Sequence, residues 1–503
     1  MRNNKKSILT NFTCIITLLV IVFSSGCQKN FLDRQPLGQY TTNNYPYITG
    51  GGTYDQYIFA AYASLRSWET NGFGFVGAVS IRSDDADKGS TPADAAIQSE
   101  MDNFPVTPSN GLTNDLWVGY YAAITYCNVI INQVAKDNSG SSEATKMKAK
   151  GEAKFLRGYS YFMLVRLFGN VPIVDTVLAN VSASNIPQST SSQVYAFIEK
   201  DLQFAAANLP LRWDTKFIGR ATSGAANGML AKVYLYEKKW QMAMSTAGMV
   251  INSGVYDLKT PYDKIFTEAG ENCSESIFEI QNYADANYDY GCGYAPVQGV
   301  RGSGEFNLGW GFNDPSVQLV AAYETGDPRE ASTILYCPSL APTRYGEIFP
   351  IEQNPRYNMK VYTNPQLRKT INSGNTWVNV RILRYADIVL MYAEAANESG
   401  QTNEALQKLE WVRARARNGG NTILPPITTT DQSMLRDLIR HERRIEMAME
   451  HERFFDLVRW GIADNALHAA GKVNFNSMRD DLLPISQIQI DLSKGILKQN
   501  PGY

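Results

Sequence analysis

The stretch from Leu383 to Arg417 reads LRYADIVLMYAEAANESGQTNEALQKLEWVRARAR, and its periodicity decides the fold. Two helical runs, Leu383 to Glu398 and Asn403 to Arg417, are separated by Ser399-Gly400, a pair that ends one helix and lets the chain reverse. Ala386, Ala393 and Ala405 fall where two antiparallel helices would cross, and small residues there let the backbones approach. A second pair repeats the design: Ala225 to Glu237, then Trp240 to Asn252, closed by Ser253-Gly254. Its small positions are Ala225, Gly228, Ala231 and Ala243. Such hairpins are the unit of tetratricopeptide-type (TPR) solenoids. The period is not regular along the chain, so the residues alone predict a mainly α, partly solenoidal protein.

Toward the amino terminus three more helices follow from 3.6-residue spacing. They are Tyr54 to Trp68, with Ile58, Tyr62 and Leu65; Trp117 to Val134, with Tyr121, Ile124, Asn128 and Ile131; and Glu152 to Phe168. The last carries the stripe Phe155, Tyr159, Phe162 and Val165 and ends at Gly169-Asn170. Trp117 and Trp460, inside helical motifs, are assigned to packing. Between about 255 and 380 Gly, Pro, Asn and Tyr become frequent, and helical periodicity survives only from Asp314 to Glu324. That region reads as long loops and a few short strands on the helical frame, where binding residues are usually carried.

The first residues have a different logic. Arg2, Lys5 and Lys6 precede an apolar run from Ile8 to Phe23, and Ser24-Ser25-Gly26 stand directly before Cys27. This is the layout of an export signal over 1–26, with Cys27 placed for lipidation, although Ser24 stands where a lipobox usually has Leu. Residues 27–52 read as a lipidated tether and irregular wrap, and 53–503 as a single domain carrying the insert at about 255–380. Of the cysteines beyond the anchor, Cys127, Cys273, Cys292 and Cys337 have no zinc-site spacing. A disulfide and free thiols both remain open for them.

Composition narrows the partners. The chain has 503 residues, 44% hydrophobic and 19% charged, with 28 Tyr and 8 Trp. From Cys27 onward 44 basic residues face 49 acidic ones, a balance of −5 that gives no reason to seek nucleic acid. The segment His441 to Trp460 is dense in charge, but His441 and His451 lie ten apart and cannot chelate one ion from one helix face. Its charges read as local ion pairs, Arg443 with Glu446 and Glu450 with Arg453. No nucleophile elbow or phosphate loop is present, so no catalytic residue is assigned. No cofactor is expected, and no residue pattern supports a calcium ion. A hydrolase carboxylate pair cannot be placed by sequence alone.

A sugar-binding surface needs flat rings beside amides, carboxylates or Arg. Three clusters fit. Trp68, Phe73 and Phe75 precede Arg82, Asp84 and Asp85, the acidic run reading either as a solvated cap or as polar ligand contacts. Tyr283, Tyr288, Tyr290 and Tyr294 interleave with Asp285, Asn287 and Asp289. Phe306, Trp310 and Phe312 are flanked by Asn307 and Asn313.

Ordered motifs along the whole chain resemble the SusD/RagB family. They begin with Cys27-Gln28-Lys29-Asn30-Phe31-Leu32-Asp33 and continue through Phe155-Leu156-Arg157-Gly158-Tyr159 to Phe168-Gly169-Asn170-Val171-Pro172. Arg384-Tyr385-Ala386-Asp387, Tyr392-Ala393-Glu394-Ala395 and Val412-Arg413-Ala414-Arg415-Ala416 follow. The most specific is Glu442-Arg443-Arg444-Ile445-Glu446, running on through Glu450, Arg453-Phe454-Phe455-Asp456-Leu457 and Arg459-Trp460-Gly461. Leu483-Pro484-Ile485 and Gln499-Asn500-Pro501-Gly502-Tyr503 close the series. The resemblance implies a TPR-like α-α superhelix scaffold with long irregular loops. It also implies an outer-membrane lipoprotein, facing the exterior, that captures oligosaccharides for a SusC-like TonB-dependent channel. Peptide capture by the same scaffold, a channel lid without its own ligand, and a surface glycoside hydrolase are the rival expectations.

Overall fold

Thr190 shows how locally the helices are specified. Its hydroxyl accepts from the Gln193 backbone N–H while the Gln193 side chain accepts from the Thr190 N–H, a capping box that starts a helix over Ser191–Asn208. Sequence periodicity left this segment unassigned, although Val194, Ile198 and Leu202 recur every four residues and all are buried. The computed structural model of the protein describes residues 52–371, 374–417, 419–420 and 422–503, with the side chains of 181 and 182 excepted. The export signal, Cys27 and all of the 27–52 tether but its last residue lie outside the described residues.

The longer helices are α1 (Asp55–Ser64), α2 (Gly111–Lys136), α3 (Glu143–Phe168), α4 (Ser191–Asn208), α5 (Ser223–Tyr236) and α6 (Trp240–Asn252). After the insert come α7 (Tyr385–Glu398), α8 (Thr402–Arg417), α9 (Gln432–Glu446) and α10 (Arg453–Trp460). Each of α2 to α6 packs on the next, α6 continues onto α7, and α7 packs on α8 and α9. The expected superhelix of hairpins is therefore present, and the protein is mainly α. The structure begins α7 two residues late, because Leu383 and Arg384 end a strand. No described helix is long and apolar enough to cross a membrane.

The small residues do what the spacing required. Ala225, Ala231, Ala243, Ala386, Ala393 and Ala405 are all buried at helix crossings. Gly228 is the tightest: a Cβ there would come within 2.7 Å of Leu383 Cδ2 and 2.9 Å of Ile388 Cδ1. Gly228→Val is expected to cost about 1–3 kcal/mol by overpacking, read as a lower urea midpoint of the purified protein.

Among the described residues six short strands form three antiparallel pairs: β1 (Ala86–Gly89) with β3 (Phe312–Pro315), β2 (Ser276–Ile280) with β6 (Val380–Arg384), and β4 (Ile334–Tyr336) with β5 (Arg356–Asn358). The insert has a small core of its own, in which Val300, Leu308, Leu335, Phe349, Tyr357 and Tyr362 pack together. Cys127, Cys273, Cys292 and Cys337 are all free thiols, three of them buried. Trp117 packs between Tyr121 and Phe168, as its helical position required.

The charge-dense C-terminal segment is structural, but its partners are not the local ones. The helix stops at Glu446, and Met449 and His451 turn the chain through left-handed backbone (φ 61° and 69°). Glu450 and Arg453 therefore do not share a helix face. Arg443 pairs instead with Asp387 and Asp456 at 2.5 and 2.7 Å, and Arg453 with Asp84 at 2.8 Å. Glu446 and Glu450 both meet Arg384, at 3.0 and 2.6 Å. These pairs tie α9 and the turn after it to α7, β6 and the segment before β1.

Candidate ligand-binding site

Two of the three aromatic clusters merge into one. The Trp68 and Trp310 ring centroids lie 5.5 Å apart, and Phe73 touches both at 6.2 and 6.0 Å. Phe312 meets Phe73 edge-on at 4.8 Å. Trp68 is 40% and Trp310 46% exposed, whereas Phe73 and Phe312 are buried. The two indoles thus form a face, and the two phenylalanines are the floor that fixes their tilt.

Pairing explains why the chain folds this way locally. Phe312 enters β3 opposite Gly89, and the Trp310 N–H donates to the Pro296 carbonyl at 2.9 Å, so the loop carrying Trp310 is clipped to the short helix Tyr294–Gln298. Trp68 lies flat on the backbone of Gly293, where a Cβ would sit 2.5 Å from its ring.

The tyrosine cluster adjoins through the same residues. Its chain reverses between the Tyr283 carbonyl and the Tyr290 N–H (2.7 Å), and Asp285 Oδ1 accepts the backbone N–H groups of Asn287 and Tyr288 at 2.7 and 2.8 Å. Those backbone bonds, with the Tyr283 hydroxyl at 2.8 Å, hold the Asp285 carboxyl below its ordinary pKa, and the same hydroxyl contact raises that of Tyr283. Tyr288 and Tyr290 stack at 5.9 Å and 12°, and stand 57% and 52% exposed. Asp289 Oδ1 accepts from the Thr376 hydroxyl at 2.6 Å, and Arg66 Nη1 donates to the Tyr290 carbonyl at 3.1 Å, anchoring the hairpin beside Trp68.

Six expected contact residues are placed elsewhere. Tyr294 is 6% exposed because the short helix turns it inward, edge-on to His451, and Phe75 flanks the other side of that imidazole. Phe306 packs on Phe349 in the core of the insert. Asp84 and Asp85 are buried against Arg453 and Arg444, so the acidic run is neither a solvated cap nor a ligand contact. Arg82 is sealed over the Phe454 ring and donates to the Asp480 carbonyl. Sequence reasoning found the exposed rings Trp68, Tyr288, Tyr290 and Trp310 but missed Arg66, whose only signal was its place two residues before Trp68.

A larger hollow of about 990 Å³ lies near Tyr262, Tyr385 and Trp411, away from these rings. Its guanidinium groups are already engaged: Arg329 by Glu442, and Arg415 by Glu275 and Glu446. The aromatic face, by contrast, offers rings with open surfaces and polar edges fixed by internal bonds.

Fold and site together define a helical-hairpin scaffold that carries an exposed aromatic face where its loop-rich insert meets the segment around Trp68. The SusD family model matches residues 338–503, and a model described as starch-binding associating with outer membrane matches residues 77–235. The chain belongs to the SusD/RagB family. It is 29% identical to SusD-like protein P2 of Formosa agariphila, over 98% of this chain and 99% of that protein. A solved laminarin-binding SusD-like protein superposes with a TM-score of 0.76 at 29% identity, covering 91% of this chain and all of the other. Surface glycan-binding protein A of Bacteroides thetaiotaomicron, solved in complex with laminarihexaose, gives 0.74 at 26% identity, covering 89% and 98%.

Proposed function

We propose that this protein is a cell-surface lipoprotein that captures an oligosaccharide on the face made by Trp68, Trp310, Tyr288 and Tyr290, and passes it to a SusC-like TonB-dependent outer-membrane channel. The carrying observation is the convergence of Trp68 and Trp310 from separate segments onto one buried phenylalanine floor, with the exposed, stacked Tyr288–Tyr290 pair tied by Arg66 to the segment that carries Trp68. Preset rings suit the C–H faces of sugars because stacking then requires little ordering on binding. Asp285 has both carboxylate oxygens, and Asp289 its Oδ1, committed to backbone and hydroxyl donors, which suits binding rather than bond cleavage. The names of the laminarin and glycan binders among its relatives support a glycan of this kind, and the outer-membrane description of the matched family model supports the location. The layout of residues 1–27 supports the anchor.

Calorimetry of the purified protein against laminarin, starch and other polysaccharides, with a peptide panel alongside, tests this reading. Trp310→Ala is expected to weaken glycan binding about tenfold to a hundredfold, about 1.4–2.7 kcal/mol, while the circular dichroism spectrum stays unchanged. Binding to peptides alone, or glycan binding indifferent to Trp310, would overturn it.

A further inference from the structure

A groove leaves the aromatic face at Arg66. The same guanidinium that holds the Tyr290 carbonyl lines, with Phe59, Tyr62 and Gln281, a hollow of about 240 Å³. Ile218, Gly219, Arg220 and Phe278 belong both to that hollow and to an adjoining one of about 510 Å³, which extends to Arg212, Trp213 and Asn272. The two hollows are one trough, of the size that takes a small-molecule ligand, and its near end begins two residues from Trp68.

Its lining has the chemistry of a neutral, hydroxyl-rich ligand. At the middle, Gln281 and Asn272 exchange amide hydrogen bonds at 2.8 and 3.0 Å. That pairing fixes both amides in place; Gln281 spends its second N–H on the Glu279 carbonyl and its oxygen also accepts from Asn379, each at 3.2 Å, so Asn272 is the one with donor and acceptor capacity to spare. The Trp213 indole is locked by its Nε1–H on the Ala221 carbonyl (2.8 Å) and by the Arg220 guanidinium 4.2 Å from its ring centroid. Arg220 is itself neutralised by Glu152 at 2.5 Å and Asp55 at 3.1 Å. Arg212 is exposed and held by one bond to the Val255 carbonyl at 3.0 Å. Leu211 and Ile218, both exposed, form an apolar rim. Fixed amides, an immobilised ring and an apolar edge repeat the recognition chemistry of the aromatic face.

We infer that this trough is a second subsite for the same glycan, contiguous with the aromatic face. Sugar units beyond those stacked on Trp68, Trp310 and Tyr290 run past Arg66 and Gln281 onto Asn272 and Arg212, so the protein selects long chains over short ones. This inference rests on the glycan reading proposed above. Linking two modest subsites through one ligand multiplies affinity without new contacts at either.

The test is calorimetric titration with laminaritriose and laminarioctaose, or with oligosaccharides of the same lengths from whichever polysaccharide the panel identifies. The wild-type protein is expected to bind the octaose at least about tenfold more tightly than the triose. Arg212→Ala/Asn272→Gly, the glycine suiting the positive φ of 54° at 272, is expected to leave triose affinity unchanged and bring the octaose down to it. Ile218→Glu, at an exposed position common to both hollows, should do the same without touching the fold. An octaose advantage that survives in both variants, or is missing from the wild type while the triose binds, overturns the trough and leaves the aromatic face standing. No glycan binding by the wild type removes both readings.

Discussion

Arg384→Met is expected to cost about 3–5 kcal/mol of stability. Arg384 is 1% exposed at the end of β6 and meets three carboxylates: Glu275 at 2.5 Å, Glu446 at 3.0 Å and Glu450 at 2.6 Å. These belong to the residue before β2, the end of α9 and the turn that follows, so one guanidinium joins the first strand of the insert to the C-terminal helices. Removing it strands buried negative charge, and desolvation makes that far costlier than the lost bonds alone. Neighbouring cations do not substitute, because Arg415 is already shared between Glu275 and Glu446, and Lys360 serves Glu450. Arg384→Lys is expected to recover only part of the loss, since a single ammonium lacks the planar fork that reaches all three acids. Urea midpoints of the three proteins at neutral pH give the comparison.

The second large effect is an acid liability at His451. Its ring is buried edge-on between Phe75 and Tyr294, and neither nitrogen has a protein hydrogen-bond partner. Burial is the main cause of a pKa pushed down from 6.5 to about 3, against the pull of Glu450, with Lys360 adding to the fall. A histidine depressed in this way is neutral when folded and takes up a proton on unfolding. Its contribution is therefore whole above pH 6.5 and is lost as the pH falls from 6.5 toward 3. Each pH unit in that window costs about 1.4 kcal/mol, so roughly 2–3 kcal/mol is gone at pH 4.5. Glu271 and Asp481, raised by burial to about 7 and about 6, change stability in the opposite sense as pH falls. Glu446, held at about 2 against burial by Arg415, Arg384 and Arg329, enters only below its ordinary 4.5. The readout is therefore the difference between wild type and His451→Phe, in which the shared groups cancel. That difference is expected to move in favour of the variant between pH 7 and pH 4.5. A flat difference would mean that His451 does not titrate in this window.

The sequence determined the scaffold by itself. Helical spacing, Gly or Ser-Gly stops and alanines at crossings act within one or two turns of chain, so α5, α6, α7 and α8 are legible within two residues of their observed bounds, and α3 at its carboxyl end. Helix α4 is equally well specified by local signals, the Thr190 capping box and its four-residue apolar repeat. Composition likewise picked out the segments that hold the aromatic face. What the sequence left open was partnership across distance. Arg443 and Glu446 are three apart, yet their carboxylate and guanidinium partners lie on other elements, because both side chains point into a core where several helices meet. Tyr290 and Tyr294 stand four residues apart in one cluster, yet one faces solvent and the other His451, since a short helix begins between them and rotates the second ring inward. Asp84 and Asp85 read from sequence as a solvated cap or as ligand contacts, whereas Arg453 and Arg444, some 360–370 residues later, close over them. Short-range rules set helix, turn and composition because the groups involved are chain neighbours. Which charges pair and which rings stay exposed depends on elements far apart in the chain packing together, and only the tertiary structure brings those elements together.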